Sequence, residues 1–286
     1  FKEIIEGEDV GIEVKIFPNA QVVGSDRDSI EAVTLGEIDM TSVAELQFAP
    51  NIKEFYVFNA DYLFDDLKDA KAKLDGEQGD LLKKAADDKN MGVKVAAFFG
   101  SSGRIFWNNV REVNTLADFQ GIKSRAPENP INIAELEALG CIPTPMAWNE
   151  LYTGLQQGTV DGLVSSKMPI IQQGLIDVLK YATDTNHSYS INVILISSAK
   201  YNSFSEEQRA AYDKAIAGAA EEEWKIAMKE EEDSVQKIKE LQEQGKILYT
   251  ELTDEARAEI KEAMVAATEP KVEEMCGKEI LETFRN

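Results

Sequence analysis

A guanidinium at the end of a short strand could hold an anion, or could be a surface arginine paired with an acid. Arg125 lies in Ile122-Lys123-Ser124-Arg125-Ala126, where apolar and polar residues alternate, and Pro127 follows two positions later. The alternation predicts a strand that ends at Ala126. Guanidinium presents two parallel N–H donors at the spacing of two carboxylate oxygens and keeps its charge at any physiological pH. In open α/β sheets, ligands collect in the crevice beyond strand C-termini. Arg104, in Gly103-Arg104-Ile105-Phe106-Trp107, reads either as a second ligand contact or as a solvent-facing arginine on an edge strand. Trp148 stands ahead of a helix and close to Pro145. There it reads as ordinary core or as the wall of a cleft, where a flat indole suits the apolar face of a sugar ring.

Catalytic chemistry finds little to work with. His187 is the one histidine, and a Ser-His-Asp relay would need it beside a nucleophile and an orienting acid. No Gly-x-Ser-x-Gly elbow supplies that serine. Gly100-Ser101-Ser102-Gly103 lacks both the Walker lysine and the dinucleotide glycine spacing, so no cofactor is expected. With one histidine and no Cys-x-x-Cys pair, a zinc site of the usual kinds has almost no ligands, and no metal is expected. Cys141 and Cys276 could pair or could be two separate buried thiols; spacing alone leaves both open.

The formal charge is −22, from 52 acidic and 30 basic residues, which repels nucleic acid and anionic lipid but not a small anion in its own pocket. The longest apolar runs, such as Ile191-Asn192-Val193-Ile194-Leu195-Ile196, fall well short of the roughly 20 residues a membrane helix needs. No charged start followed by an apolar core opens the chain, so no targeting segment is read in it. At 286 residues the chain exceeds the usual size of one domain, and two lobes are expected.

The elements that would position these residues alternate between strand and helix, the pattern of an α/β architecture. Strands are predicted over 11–17, 38–43, 92–99, 103–107, 122–126, 160–165 and 190–196. Helices are predicted over 28–35, 65–74, 78–90, 132–139 and 149–157, with Gly36, Gly76, Gly92, Gly140 and Gly158 as stops. Residues 1–6 read as the tail of an amphipathic helix. From 205 to 244 one helix is predicted, opened by a Ser205/Gln208 capping box and closed by Gly245. It runs as a spine shared by both lobes, or breaks near 230–233. No flexible linker is visible, so the chain should cross between lobes several times.

Three segments resemble the solute-binding proteins of TRAP-type transporters for dicarboxylates and sugar acids. The first is Phe17-Pro18-Asn19-Ala20-Gln21, followed by Glu31-Ala32-Val33-Thr34-Leu35-Gly36-Glu37-Ile38-Asp39-Met40. The second, from Gly121 to Pro130, contains Arg125-Ala126-Pro127-Glu128. The third runs Pro143-Thr144-Pro145-Met146-Ala147-Trp148-Asn149-Glu150-Leu151-Tyr152 and on to Asp161-Gly162. The resemblance implies a two-lobed, periplasmic-binding-protein-like α/β fold with a ligand cleft between lobes and a long shared helix. It implies a first lobe of residues 1–102 plus 191–230, with the family's first strand and part of its first helix missing, and a second of 103–190 plus 231–286.

The same resemblance implies a periplasmic protein, its signal segment absent from this chain, that is not an enzyme. It would capture a small organic carboxylate by hinge closure and deliver it as a monomer to the integral-membrane permease of a TRAP transporter, without inserting into the membrane. By position, Arg125 matches the arginine that pairs with the ligand carboxylate, and Arg104 a second one near the ligand in sugar-acid binders. Trp148 stands where the family often has Phe. Ser165 stands where it commonly has Asn, in Leu163-Val164-Ser165-Ser166, which departs from the usual Gln-Glu-Asn-Pro. Asn186 lies in a recurring Thr-Asn-His segment. A sugar acid is expected; a C4-dicarboxylate, a keto acid or a sensory ligand-binding role are the alternatives.

Overall fold

The computed structural model describes residues 1–18 and 21–286; Asn19 and Ala20 of the first motif lie outside the described residues. In chain order the strands are β1 Met40–Ala44, β2 Val93–Asn108, β3 Lys123–Ala126, β4 Ile142–Pro145, β5 Gly162–Ser166, β6 Tyr181–Ser197 and β7 Leu248–Thr250. The helices begin with α1 Lys2–Gly7, α2 Asp26–Leu35, α3 Glu45–Phe48, α4 Leu67–Leu74, α5 Glu77–Lys89 and α6 Pro130–Ala138. They continue with α7 Leu151–Gln157, α8 Lys167–Gln172, α9 Ser198–Ser203, α10 Glu206–Glu243, α11 Asp254–Cys276 and α12 Lys278–Arg285. The architecture is mixed α/β.

Two compact units emerge. Unit 1 comprises residues 1–56, 67–100 and 191–227; unit 2 comprises 57–66, 101–190 and 228–286. Residues 57–66, which the sequence reading assigned to the first lobe, therefore belong to unit 2. The reason is packing against the C-terminus: Phe58 and Phe64 meet Phe284 edge to face, with ring centroids 6.0 and 6.2 Å apart. Arg285 also donates to the carbonyls of Tyr62 at 2.7 Å and Asp61 at 3.0 Å.

In unit 1, β1 runs antiparallel to the C-terminal part of β6, from Met40 opposite Ile196 to Ala44 opposite Asn192. The core gathers Ile5, Ala97, Ile196, Tyr212 and Ile216. Residues 11–17, expected as a strand, join no ladder. At Val14 the backbone bonds instead to side chains of α1: Val14 N–H donates to Glu6 Oε1 at 2.9 Å, and Lys2 Nζ donates to the Val14 carbonyl at 2.5 Å. Ile12 and Val14 still pack on the core, which accounts for the alternation that read as a strand.

In unit 2 the strand order is β2-β5-β3-β4. β5 is antiparallel to β2 and parallel to β3, and β3 is parallel to β4. The pleat sends alternate residues to opposite faces. Ile105, Trp107 and Leu163 join Leu155, Ile170, Ile238 and Leu241 on one face. Phe106, Ala126 and Val164 join Leu136 of α6, Leu139 just after it, and Ile260 and Met264 of α11 on the other.

Two strands outrun their sequence signals. β2 is one strand where two were expected, because Gly100 and Gly103 mark close approaches and not turns. A Cβ on Gly103 would meet Asn186 Oδ1 at 2.0 Å. β6 begins at Tyr181 because Thr183, Thr185 and His187, polar residues, take the buried positions there and mask the alternation. The long helix is unbroken over 38 residues. Its capping box forms as read, with Ser205 N–H on Gln208 Oε1 and Gln208 N–H on Ser205 Oγ, both at 3.1 Å. Both cysteines are buried free thiols, and burial with the nearby Glu135 charge pushes that of Cys141 up to about 12.

At Gly162 one strand presses against its neighbour's backbone: a Cβ there would stand 2.3 Å from the Trp107 carbonyl oxygen and 2.9 Å from Asn108 Cβ. Backbone on both sides leaves no cheap escape. Gly162→Ala should cost roughly 2–3 kcal/mol by overpacking, read as a lower urea midpoint; an unchanged midpoint would contradict this packing.

Candidate ligand site

Arg125 owes its place to a staple at the start of β3. Asp161 N–H donates to the Lys123 carbonyl at 2.7 Å, and Lys123 N–H donates back to Asp161 Oδ2 at 3.1 Å. The Asp161 carbonyl accepts from Asn109 N–H at 2.9 Å, so one aspartate ties the loop after β2 to the first residue of β3. The Asp161-Gly162 pair of the third motif is thus a strand clamp. At the other end, Met146 N–H donates to the Ala126 carbonyl at 3.1 Å, holding the segment after β4 beside Arg125.

Half-buried at that strand end, Arg125 donates through Nε to the Met146 carbonyl at 2.9 Å. Its guanidinium carbon lies 5.7 Å from the centre of the Trp148 ring, within cation–π range. Trp148 is in turn held by its indole N–H on Gln173 Oε1 at 2.9 Å. Among the described residues no carboxylate pairs with Arg125. Burial alone pulls its pKa below the ordinary arginine value, and the group remains a cation throughout the physiological range. A desolvated, oriented cation with an aromatic neighbour and no acid is a receptor for an anion.

The other expected residues divide by face. Arg125 is in register with Leu163, and Ser165 is two residues further along β5, so Arg125 and Ser165 share a face. Met146 and Trp148 pack on that same face against the cluster containing Leu163. Ser165 is buried, and its carbonyl accepts the Trp107 indole N–H at 3.1 Å. Arg104 is paired with Ser166, while Ile105 is paired with Ser165. The pleat therefore directs Arg104 to the face away from Ser165. There Arg104 Nε donates to Ser190 Oγ at 3.0 Å. Nearby in the chain, Asn186 holds a left-handed φ of 41° and donates through Nδ2 to Tyr189 Oη at 2.8 Å. Unit 2 thus assembles Arg125, Trp148 and Ser165 on one face and sets Arg104 on the other.

Sequence reasoning passed over Lys167. It is 1% exposed, two residues after Ser165, and its ammonium meets Glu231 Oε1 of α10 at 2.6 Å. Glu231 Oε2 accepts from Gly103 N–H at 3.0 Å, so one carboxylate ties α8 and β2 to the long helix. The usable signal was a lysine beside a candidate ligand serine; its partner, 64 positions on, has no local signature. A surface hollow lined by Ile176, Lys180, Tyr181, Gln242 and Lys246 holds none of the candidate residues.

The family model described as bacterial extracellular solute-binding protein, family 7, matches residues 1–275. The chain is 29% identical to the C4-dicarboxylate-binding periplasmic protein DctP of Rhodobacter capsulatus, over 98% of this chain and 83% of that protein. It is 30% identical to the 2,3-diketo-L-gulonate-binding periplasmic protein YiaO of Escherichia coli strain K12, over 90% and 76% respectively. A solved TRAP periplasmic solute-binding protein of Sulfitobacter sp. NAS-14.1, with bound β-D-galacturonate, superposes with a TM-score of 0.86. It is 26% identical, and the match covers 100% of this chain and 92% of that one.

The Lys167–Glu231 pair is mostly enclosed, so its two halves are unequal to lose. Glu231→Ala strands the lysine charge and orphans the Gly103 N–H, and should cost about 3 kcal/mol of stability. Replacing both partners with apolar residues, Lys167→Met with Glu231→Leu, should recover most of that in the same urea titration. A double variant no better than the single one would show that the pair contributes more than mutual neutralisation.

Proposed function

The chain belongs to the bacterial extracellular solute-binding proteins of family 7, the periplasmic capture proteins of TRAP transporters, and we propose that its ligand is a sugar acid of the uronate or aldonate type. Proteins of this family bind small organic carboxylates and work with TRAP membrane permeases; they are not enzymes. No described helix is long and apolar enough to cross a membrane.

The observation that carries the proposal is Arg125, desolvated and without a carboxylate partner, beside the face of Trp148. The carboxylate of the guest takes the two terminal nitrogens of the guanidinium, a charge-assisted pair worth roughly 1.5–3 kcal/mol net. The sugar ring lies against the indole, and Ser165, on the same face, offers a hydroxyl for a ring oxygen or hydroxyl group. The galacturonate-bound relative favours this ligand class. Closure of two lobes on the guest belongs to the same proposal, because a ligand drives closure only through contacts it makes better in the closed form.

The identity to a C4-dicarboxylate-binding protein favours a second reading, a short diacid. Its second carboxylate needs a second cation. Within unit 2 the other arginine of the motifs, Arg104, is turned to the opposite face and engaged with Ser190, and Lys167 is taken by Glu231. A single carboxylate on a polyhydroxylated chain fits these groups better.

A thermal-shift panel of uronates, aldonates, sialic acid, C4-diacids and keto acids tests the ligand class, since a selective ligand stabilises the fold by mass action. Stabilisation by diacids alone would refute the sugar-acid reading. By calorimetry, Arg125→Ala should weaken the selected ligand about a hundredfold or more, because the carboxylate then stays buried and unpaired. Arg125→Lys should not restore it, a lysine supplying charge without the fork; equal affinity would refute bidentate pairing. Trp148→Ala should cost galacturonate more than succinate, and equal losses would remove the ring-stacking argument.

A further inference from the structure

Away from Arg125, unit 2 encloses a second set of charge-bearing groups. Asp61, Glu135 and His187 are 2%, 4% and 1% exposed, and one ligand-type atom from each lies within 4.8 Å of the others. They come from three distant stretches: the 57–66 segment, α6 and β6. Two carboxylates at such close quarters repel each other in a medium too poor in water to screen them.

Each headgroup is held from behind. Thr268 Oγ1 donates to Asp61 Oδ2 at 2.8 Å, and Asn132 Nδ2 donates to Glu135 Oε2 at 3.1 Å. His187 Nδ1 lies 2.8 Å from Thr185 Oγ1. That leaves Nε2 as the ring's open atom. It is fully enclosed and has no hydrogen-bond partner, with Glu135 Oε1 standing 3.4 Å away. Two cations act on Asp61: Arg285, committed to the carbonyls of Asp61 and Tyr62 and to the Glu269 carboxylate, and Arg104, which donates through Nε to Ser190 Oγ.

We propose that Asp61, Glu135 and His187 form a structural site for a divalent first-row transition cation, Zn2+ or Mn2+. The orphaned imidazole nitrogen becomes a ligand, and the two carboxylate charges balance the ion. One nitrogen and two oxygens make a borderline donor set that suits these ions. Thr268, Asn132 and Thr185 do what outer-shell partners do at metal sites: they fix the ligand rotamers and leave the ligating atoms facing inward. Bound there, the ion ties the 57–66 segment, α6 and β6 together, with α11 joined through Thr268. Counting cysteines and histidines in the sequence argued against zinc; the fold supplies carboxylates in their place. The site stands apart from Arg125, so neither proposal depends on the other.

The test uses the full chain, stripped with chelator and then equilibrated with Zn2+ or with Mn2+. Elemental analysis after buffer exchange should find one equivalent retained, and the melting midpoint should rise by about 5 °C. His187→Gln should lose both effects. Retention of the same metal by His187→Gln, or no retention by the wild-type chain, would overturn the site. If that variant does not fold, X-ray absorption of the zinc-loaded wild type decides. A shell of nitrogen and oxygen at about 2.0–2.1 Å with imidazole scattering supports the proposal; a shell of oxygens alone, as surface carboxylates would give, refutes it.

Discussion

A positive charge taken partly out of water with no negative one beside it is the constraint around which unit 2 is arranged. Two other arginines of this unit find acids: Arg257 reaches Asp184 at 3.2 Å and Arg285 reaches Glu269 at 2.8 Å. Arg125 has a carbonyl and an indole instead. A neutral acceptor and a ring quadrupole offset part of the desolvation without cancelling the charge. An acid in that position would make a more stable protein and a poorer receptor. The chain, acidic at −22 overall, leaves this cation uncovered.

Much of the surrounding structure serves to hold that geometry. Asp161 clamps the start of β3, Gly162 lets β5 come against β2 without a side chain between them, and Met146 closes the far end. The Lys167–Glu231 pair fixes α8, the element following Ser165, to the long helix. Binding sites need their supporting groups immobilised, because a displaced guanidinium loses the paired hydrogen bonds that distinguish a carboxylate from other anions. The motif residues of the sequence therefore split between those proposed to touch a guest and those that hold them in place.

Local elements were readable to the extent that their signals are local. The helix over 206–243 declared itself through a capping box and a glycine stop, and it forms unbroken. Short strands such as β1, β3 and β5 were also found. Segment 11–17 shows the limit: alternation reports which residues face the core, and here that pattern is produced by a coil whose backbone is bonded to α1 side chains. β6 shows the converse, a strand hidden because its inward positions carry threonine and histidine. For the site, Arg125, Trp148 and Ser165 could be nominated from residue type and motif. That Arg104 turns away from them could not, because side-chain direction depends on a cross-strand register that single-strand patterns do not encode.

By itself the sequence determined the α/β architecture and the family, and it nominated the arginine proposed to hold the guest. These follow from periodicity, from residue chemistry and from motifs whose spacing is short. Tertiary structure alone decided which side chains share a face, that 57–66 packs with the C-terminal helix, that a buried lysine meets a glutamate 64 residues away, and that Asp61, Glu135 and His187 converge. The physical reason is common to all four. Each depends on contacts between residues far apart in the chain, and the free energy of such a contact is set by burial and register, quantities that exist only once the chain has folded.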